Sequence, residues 1–378
     1  METCRINVSG AKEKWRARLK VVFRVDASLA MGTGHVMRCL TLAQVLKKNG
    51  ANVEFICRKH KGNLIDKIRS NGFVVYELEL YGEADVDTSL AHSHWLGVTQ
   101  RQDADDCVDI LKAEKSNWLI VDHYALDEQW QNRLKPYYEK LIVIDDLADR
   151  KHQCDILLDQ TFGRQQEDYL TLTPEDCKLL LGSQYALLRP EFTEWRGVSL
   201  ERRSKPEFKQ LLINMGGVDA DNVTEKVLDE LKICNLPNDL KITVVMGGSA
   251  PHLESIKSKA IVLPYKTEVK VDVGNMAEIM SNSDVAIGAS GSTTWERCCL
   301  GLPTIQVITA NNQSVLAKSL DKAGVIELIK QNNDLDGCLG RLNNKKYYMN
   351  IVYKAMNITD GIGCNKVFKF LTGKGDGV

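Results

Sequence analysis

The sequence predicts an α/β protein made of two parallel-sheet domains that face a cleft. Three observations lead there. Apolar runs of four to six residues alternate with longer segments of helical period, the pattern of repeated βα units. The alternation breaks around 188–203, in a charged stretch running from Arg189-Pro190-Glu191-Phe192 to Glu201-Arg202-Arg203, read here as a linker. A length of 378 residues suits two domains at ~150 residues each.

In the first half, strands are expected at 21–25, 53–57, 73–76, 118–121 and 141–144, with short runs at 156–158 and 179–181 closing the sheet. Helices are expected over 35–48, near 64–70, near 103–114 and from 127, and the polar segment 82–97 reads as a surface loop. In the second half the strands fall at 211–215, 242–246, 261–263, 285–287 and 304–307. Its helices start at 222, 273 and 293, and 345–357 and 363–371 also read as helical. The domain reading is an extension at 1–20, a Rossmann-like domain at 21–195, a second at 196–358, and a C-terminal helix and tail at 359–378 packing back on the first.

Composition narrows the function class. Apolar residues are 44% and charged residues 26%, enough for sizeable cores. Lys plus Arg (49) and Asp plus Glu (50) nearly cancel, which argues against nucleic acid and anionic membranes as partners. No apolar run reaches the ~18 residues of a membrane span. Segment 1–20 is charged throughout and lacks an apolar signal core. The 11 cysteines form no CxxC and no zinc-like spacing, so they read as reduced thiols of a cytoplasmic protein. A monomer without cofactor or metal is expected.

Two loops concentrate the chemistry. The first strand runs into Asp26-Ala27-Ser28-Leu29-Ala30-Met31-Gly32-Thr33-Gly34-His35-Val36-Met37-Arg38. Gly32 and Gly34 permit a tight turn and close approach of backbone to a ligand. Met37 stands where a dinucleotide fingerprint needs its third Gly, and no Gly-Lys-Ser/Thr follows for a P-loop. His35 opens the next helix, where the N-terminus favours a neutral imidazole able to accept a proton. The plain alternative is a histidine that only caps the helix. The second loop follows the strand at 285–287 with small residues and hydroxyls, Ser290-Gly291-Ser292-Thr293-Thr294, and Glu296 lies just inside the following helix. Such a helix start suits a phosphate, and the carboxylate suits a pair of ribose hydroxyls.

Other candidates have simpler readings. Strand-end caps and salt bridges to Arg150 or Lys151 explain the run Asp145, Asp146, Asp149, Asp155 and Asp159 more economically than a metal. The triplets at 103–105 and 219–221 read as helix caps. His60, His92, His94 and His252 read as surface residues.

The second loop, continued by Leu300-Gly301-Leu302-Pro303 and Asn312-Gln313, resembles the nucleotide-sugar half of GT-B glycosyltransferases, above all the one that adds N-acetylglucosamine in peptidoglycan lipid synthesis. Further segments, among them Gly32-Thr33-Gly34-His35, Val121-Asp122-His123-Tyr124, Ile144-Asp145-Asp146-Leu147, Tyr185-Ala186-Leu187-Leu188-Arg189-Pro190 and Asn214-Met215-Gly216-Gly217, point to one relative of that group. Together they resemble the UDP-sugar hydrolases of pseudaminic acid biosynthesis, which release UDP from UDP-2,4-diacetamido-2,4,6-trideoxy-β-L-altropyranose. The resemblance covers about 21–371 and implies a GT-B-like fold. It implies His35 as the catalytic histidine, Tyr124 as an active-site tyrosine and Asn312 as an asparagine reaching the sugar. Arg189 would meet the diphosphate and Glu296 the ribose. Gly216, Gly217, Gly247 and Val273 would line the nucleotide pocket, and Asp26, Ser290, Gly291, Ser292, Thr293 and Gln313 complete the expected substrate contacts.

The residues fit such chemistry independently. UDP departs readily from a sugar acetal, so an enzyme must neutralise the diphosphate and position a water that His35 deprotonates. Rival readings are a glycosyltransferase whose His35 activates a sugar or lipid hydroxyl, a hydrolysing 2-epimerase, and a UDP-sugar sensor without turnover.

Overall fold

Runs of Val, Ile and Leu that bury both faces form the strands of two all-parallel sheets, each flanked by helices. The computed structural model describes residues 19–81, 90–310, 313–329 and 334–373. They fall into two compact units. One takes the described residues up to Gln160, Arg164–Leu187 and those from Cys364 onward, and the other takes Thr161–Gly163 and Leu188–Gly363.

The first unit's sheet contains β1 (Lys20–Val25), β2 (Asn52–Arg58), β3 (Val74–Leu78), β4 (Ser116–Asp122), β5 (Tyr138–Ile144), β6 (Ile156–Asp159) and β7 (Lys178–Leu181). Their order is β3-β2-β1-β4-β5-β6-β7. Side chains alternate along each strand, so β1 serves two cores. Val21, Phe23 and Val25 pack with α1 (Gly34–Lys48) and α2 (Ile65–Ser70). Val22 joins the opposite core with α3 (Gln100–Leu111) and α4 (Glu128–Leu134). Thr99 caps α3 by accepting from the Gln102 amide, and Asp127 caps α4 by accepting from Gln129.

The second unit opens with α5 (Pro190–Arg203) and β8 (Gln210–Asn214), followed by α6 (Val223–Leu231) and β9 (Lys241–Met246). Next come α7 (Leu253–Ile261), β10 (Lys266–Val271), α8 (Met276–Ser281), β11 (Val285–Ala289) and α9 (Thr293–Cys299). Then follow β12 (Thr304–Val307), α10 (Ser314–Ala323), β13 (Glu327–Leu328), α11 (Leu335–Leu342) and α12 (Lys345–Met356). Strand order β10-β9-β8-β11-β12-β13 is the doubly wound one. Finally α13 (Gly363–Leu371) packs Cys364, Val367 and Leu371 into the first unit's core, where the Trp118 indole donates to the Leu371 carbonyl at 3.1 Å.

Three expectations change. The stretch read as a linker is a 14-residue helix belonging to the second unit, so the boundary falls after Leu187 rather than after 195. Pro190 suits the first helical position, where its missing N–H costs nothing. Arg196 and Arg203, both on α5, donate to the carbonyls of Met356 and Met280, and Ser199 donates to that of Leu300 at 2.8 Å. The run at 261–263 is no strand: Ile261 and Val262 are exposed at the end of α7, and the edge strand is the charged β10. Asp103 is not a cap but a fully buried partner of Arg24 and Arg58. Asp219, three residues before the N-cap Asn222, instead reaches the start of α6, accepting from the amides of Val223 and Thr224 at 2.9 Å each.

Candidate active site

In each sheet the strand order reverses beside the first strand, between β1 and β4 and between β8 and β11. In doubly wound sheets ligands gather beyond the carboxyl ends of the strands at that point. The loop from β1 to α1 turns at Gly32, with φ +78°, where its amide donates to the Ser28 carbonyl at 2.8 Å. Beyond the turn, α1 begins with Gly34, and His35 meets the last residue of β4. His35 Nδ1 lies 2.6 Å from Asp122 Oδ1. Arg38, one helical turn on, grips the same carboxylate through Nε at 2.6 Å and Nη2 at 2.7 Å, and Nη1 reaches Asp146. Asp122 is fully buried. Burial works against its charge, but Arg38 and His35 hold the carboxyl well below the usual range. A carboxylate facing Nδ1 fixes the proton there and leaves the Nε2 lone pair as the basic site.

Aromatic rings border the imidazole. The Tyr124 ring lies edge-on to it with centroids 4.6 Å apart, and its hydroxyl donates to Asp146 at 3.0 Å. Burial and then the Asp146 charge push the Tyr124 hydroxyl well above the ordinary phenol value, so it remains a donor. A short 3₁₀ turn, Ser93–Trp95, adds Trp95, stacked on Tyr124 at 5.8 Å, and His92, 4.3 Å from Trp95. His92, expected as a surface residue, is half-buried, and burial lowers its imidazole's pKa against the pull of Asp149.

Asp26 follows β1 at the same end of the sheet, where Val25 pairs with Asp122. It is fully buried, its Oδ1 accepting from Arg24 and from the Arg58 amide at 2.7 Å each, while Oδ2 faces His60 and His123 at 3.6 and 3.4 Å. This is an interior ion-pair network rather than a substrate contact, and it makes His60 an interior residue too. The other strand-end acids are also engaged: Arg150 pairs with Asp145 at 2.8 Å, and Arg164 with Asp159.

In the second unit, the glycines shape the strand ends. Gly216 has φ +95° and open space where a Cβ would be. At Gly247 a Cβ would stand 2.3 Å from the Gly217 carbonyl oxygen, so only glycine fits. After β11, Ser290 is buried, Gly291 faces open space and Ser292 is exposed. Thr293 and Thr294 accept from Arg297 at 3.1 and 3.3 Å, which ties the turn to α9. Glu296 and Arg189 come together, Nη2 lying 3.4 Å from Oε1, with Glu191 on the other guanidinium nitrogen at 3.0 Å. Burial raises the Glu296 carboxyl above its usual value, and Arg189 opposes that rise. Val273 is half-buried after β10, and the Gln313 side chain accepts from Thr309 at 3.1 Å. Asn312 lies outside the described residues.

Residues 211–345 match the Glycosyltransferase family 28 C-terminal domain. The chain is 29% identical over 306 residues to the UDP-2,4-diacetamido-2,4,6-trideoxy-beta-L-altropyranose hydrolase of Campylobacter jejuni, covering 81% of this chain and 97% of that one. It is 28% identical over 291 residues to the MJ1062 protein of Methanocaldococcus jannaschii, covering 76% of this chain but about half, 55%, of that relative. A solved structure of MurG from Acinetobacter baumannii superposes with a TM-score of 0.69 over 94% of this chain and 99% of that one, at 15% identity. The chain has the GT-B fold.

Within this GT-B chain the sequence-derived residues fall into two sets. His35 and Tyr124 share one end of the first sheet, and Arg189 and Glu296 meet in the second unit. Reasoning from sequence missed Arg38 and Trp95, read Asp146 only as a cap or salt-bridge acid, and placed Asp122 only within the segment Val121-Asp122-His123-Tyr124. The spacing of His35 and Arg38, one turn apart on a helix, was the available signal for a shared partner. No helix among the described residues is long and apolar enough to cross a membrane.

Proposed function

We propose that this chain hydrolyses a UDP-sugar at the anomeric carbon, with His35 as the general base and a UDP-2,4-diacetamido-2,4,6-trideoxyhexose as substrate, as in pseudaminic acid biosynthesis. The observation that carries this is the Asp122–His35 pair at 2.6 Å, clamped from behind by Arg38. A histidine oriented by a buried carboxylate is arranged to take a proton through Nε2. Water attacks the anomeric carbon, Nε2 takes its proton, and the bond from that carbon to the diphosphate oxygen breaks. UDP leaves with the bonding electrons, and configuration inverts. In this reading Arg189 meets the diphosphate and Glu296 the ribose. The hydroxyls and backbone of Ser290, Gly291, Ser292 and Thr293, with Gly216, Gly217, Gly247, Val273 and Gln313, surround the nucleotide, and Asn312 reaches the sugar. Tyr124 positions the imidazole and the substrate.

UDP release from the purified protein and the diacetamido substrate, with no acceptor present, tests this directly. His35→Asn should retain UDP affinity while turnover falls ~10²–10⁴-fold, the scale of a positioned acid or base. Near-parental turnover in that variant would leave His35 as no more than a structural partner of Asp122. No step requires a metal, so turnover should survive exhaustive EDTA treatment. A glycosyltransferase is the second reading, favoured by the family 28 match over 211–345. It predicts UDP release only when an acceptor hydroxyl is supplied.

A further inference from the structure

We propose that Trp95, flanked by Tyr124 and His92, forms an aromatic subsite beside His35 that receives the apolar face of the sugar and selects 6-deoxy, diacetamido sugars over N-acetylhexosamines that keep their 4- and 6-hydroxyls. The inference rests on the hydrolase reading and adds a specificity-determining residue to it.

Trp95 lies in a polar segment, yet the core does not need it. Its neighbours Leu96 and Val98 anchor the segment, at 1% and 2% exposure, within the first unit's hydrophobic cluster, while Trp95 remains half-exposed. Rings nevertheless surround it. His92 stands 4.3 Å away, Tyr124 stacks at 5.8 Å with 26° between planes, and the His35 ring lies nearly perpendicular at 6.2 Å. The imidazole that would meet the anomeric carbon thus shares a wall with three aromatic side chains. The charged groups on that side are turned toward one another: Arg38 holds Asp122 and Asp146, Tyr124 donates to Asp146, and the Arg150 guanidinium lies 5.8 Å from the Tyr124 ring centre. Among the described residues, what they leave beside His35 is the faces of these rings, which favour C–H groups and methyls. A 6-deoxy sugar with two acetamido groups carries three methyls for that surface, whereas a hexose with a 6-hydroxyl must strip water from it. A pocket contact of one methyl or methylene discriminates by ~10–200-fold.

The test compares the parent with Trp95→Ala and Trp95→Phe in the full-length chain, each first shown to unfold cooperatively. Rates are measured with UDP-2,4-diacetamido-2,4,6-trideoxy-β-L-altropyranose and with UDP-N-acetylglucosamine, and calorimetry gives affinities for both and for UDP. The expected result is a loss of ~10–100-fold in kcat/KM for the deoxy substrate in Trp95→Ala, mainly through KM. UDP affinity should be unchanged, the preference over UDP-N-acetylglucosamine should collapse, and Trp95→Phe should restore most of it. An unchanged preference in Trp95→Ala overturns the subsite. If the parent hydrolyses neither compound, the hydrolase reading fails, and calorimetry decides the subsite separately. The affinity that the sugar adds to UDP should then vanish in Trp95→Ala and return in Trp95→Phe. Equal affinities in parent and Trp95→Ala overturn it.

Discussion

At the scale of single residues, Asp122 determines what His35 can do. Its two oxygens meet one imidazole and one guanidinium, with the Cys39 thiol also donating to Oδ2 at 3.4 Å, and all of these groups are buried. Asp122→Asn keeps the shape but can present an N–H to Nδ1, which favours the wrong tautomer and removes the charge that stabilises an imidazolium. Turnover should fall ~10²–10⁴-fold with UDP affinity intact. The substitution also weakens a buried pair with Arg38, so stability should drop as well. The Asp122 and Asp145 carboxyls are both held below the usual range. Their stabilisation is therefore complete above the ordinary carboxyl value, ~4, and is lost as pH falls toward their folded-state values. Urea midpoints measured from neutral to acid pH should decline below ~4, and less steeply in Asp122→Asn. A decline of equal slope in both proteins would mean that Asp122 contributes nothing to it.

Helices and strands are set by which residues each must bury. The strand β4 buries six of its seven residues and ends on Asp122, so the sheet itself fixes the height of the carboxylate. The helix α1 starts immediately beyond Gly32, whose positive φ lets the chain reverse toward β4. The C-terminal helix α13 illustrates the same economy at a distance in sequence: Leu371 is 5% exposed, and its carbonyl accepts from Trp118. Leu371→Ala should cost ~2–5 kcal/mol, the range for a buried leucine that leaves a cavity. Chemical denaturation would show that loss, and UDP affinity should not change because α13 packs within the first unit. A neutral substitution would mean that this helix end is not held by its apolar face.

For the molecule as a whole, the proposed labour divides between a unit that supplies the base and a unit that holds UDP. Glu296→Ala should weaken UDP affinity by ~1–3 kcal/mol, the scale of hydrogen bonds to a charged group. Calorimetry with UDP showing no change in the folded variant would remove Glu296 from the site. Reaction in ¹⁸O-water tests the chemistry independently. Label should enter the sugar, because attack at the anomeric carbon leaves UDP with its own oxygens, whereas label in UDP would place the attack at phosphorus.

Much of this was legible in sequence because it depends on local pattern. Parallel strands buried on both faces must be apolar runs, so β1, β4 and β11 stand out within a residue or two of their observed limits. Gly32, Gly34 and His35 announce a tight turn opening a helix, and the Ser290–Thr294 region announces a second. The edge strand β10 was misplaced because its charged residues carry no apolar signal, while the exposed Ile261 and Val262 imitate one. The helix α5 was taken for a linker because the carbonyls that receive Arg196 and Arg203 lie about 80 to 160 residues further along the chain. The same holds for the site. Sequence identifies His35 as a reactive residue, but a carboxylate 87 positions away becomes its partner only when β4 is laid beside β1. Asp26, equally polar and nine residues from His35, is withdrawn into the interior by Arg24 and Arg58. Local periodicity sets the elements. Which acid orients the histidine, and which merely neutralises an arginine, is decided by strand order and burial, quantities that no stretch of neighbouring residues contains.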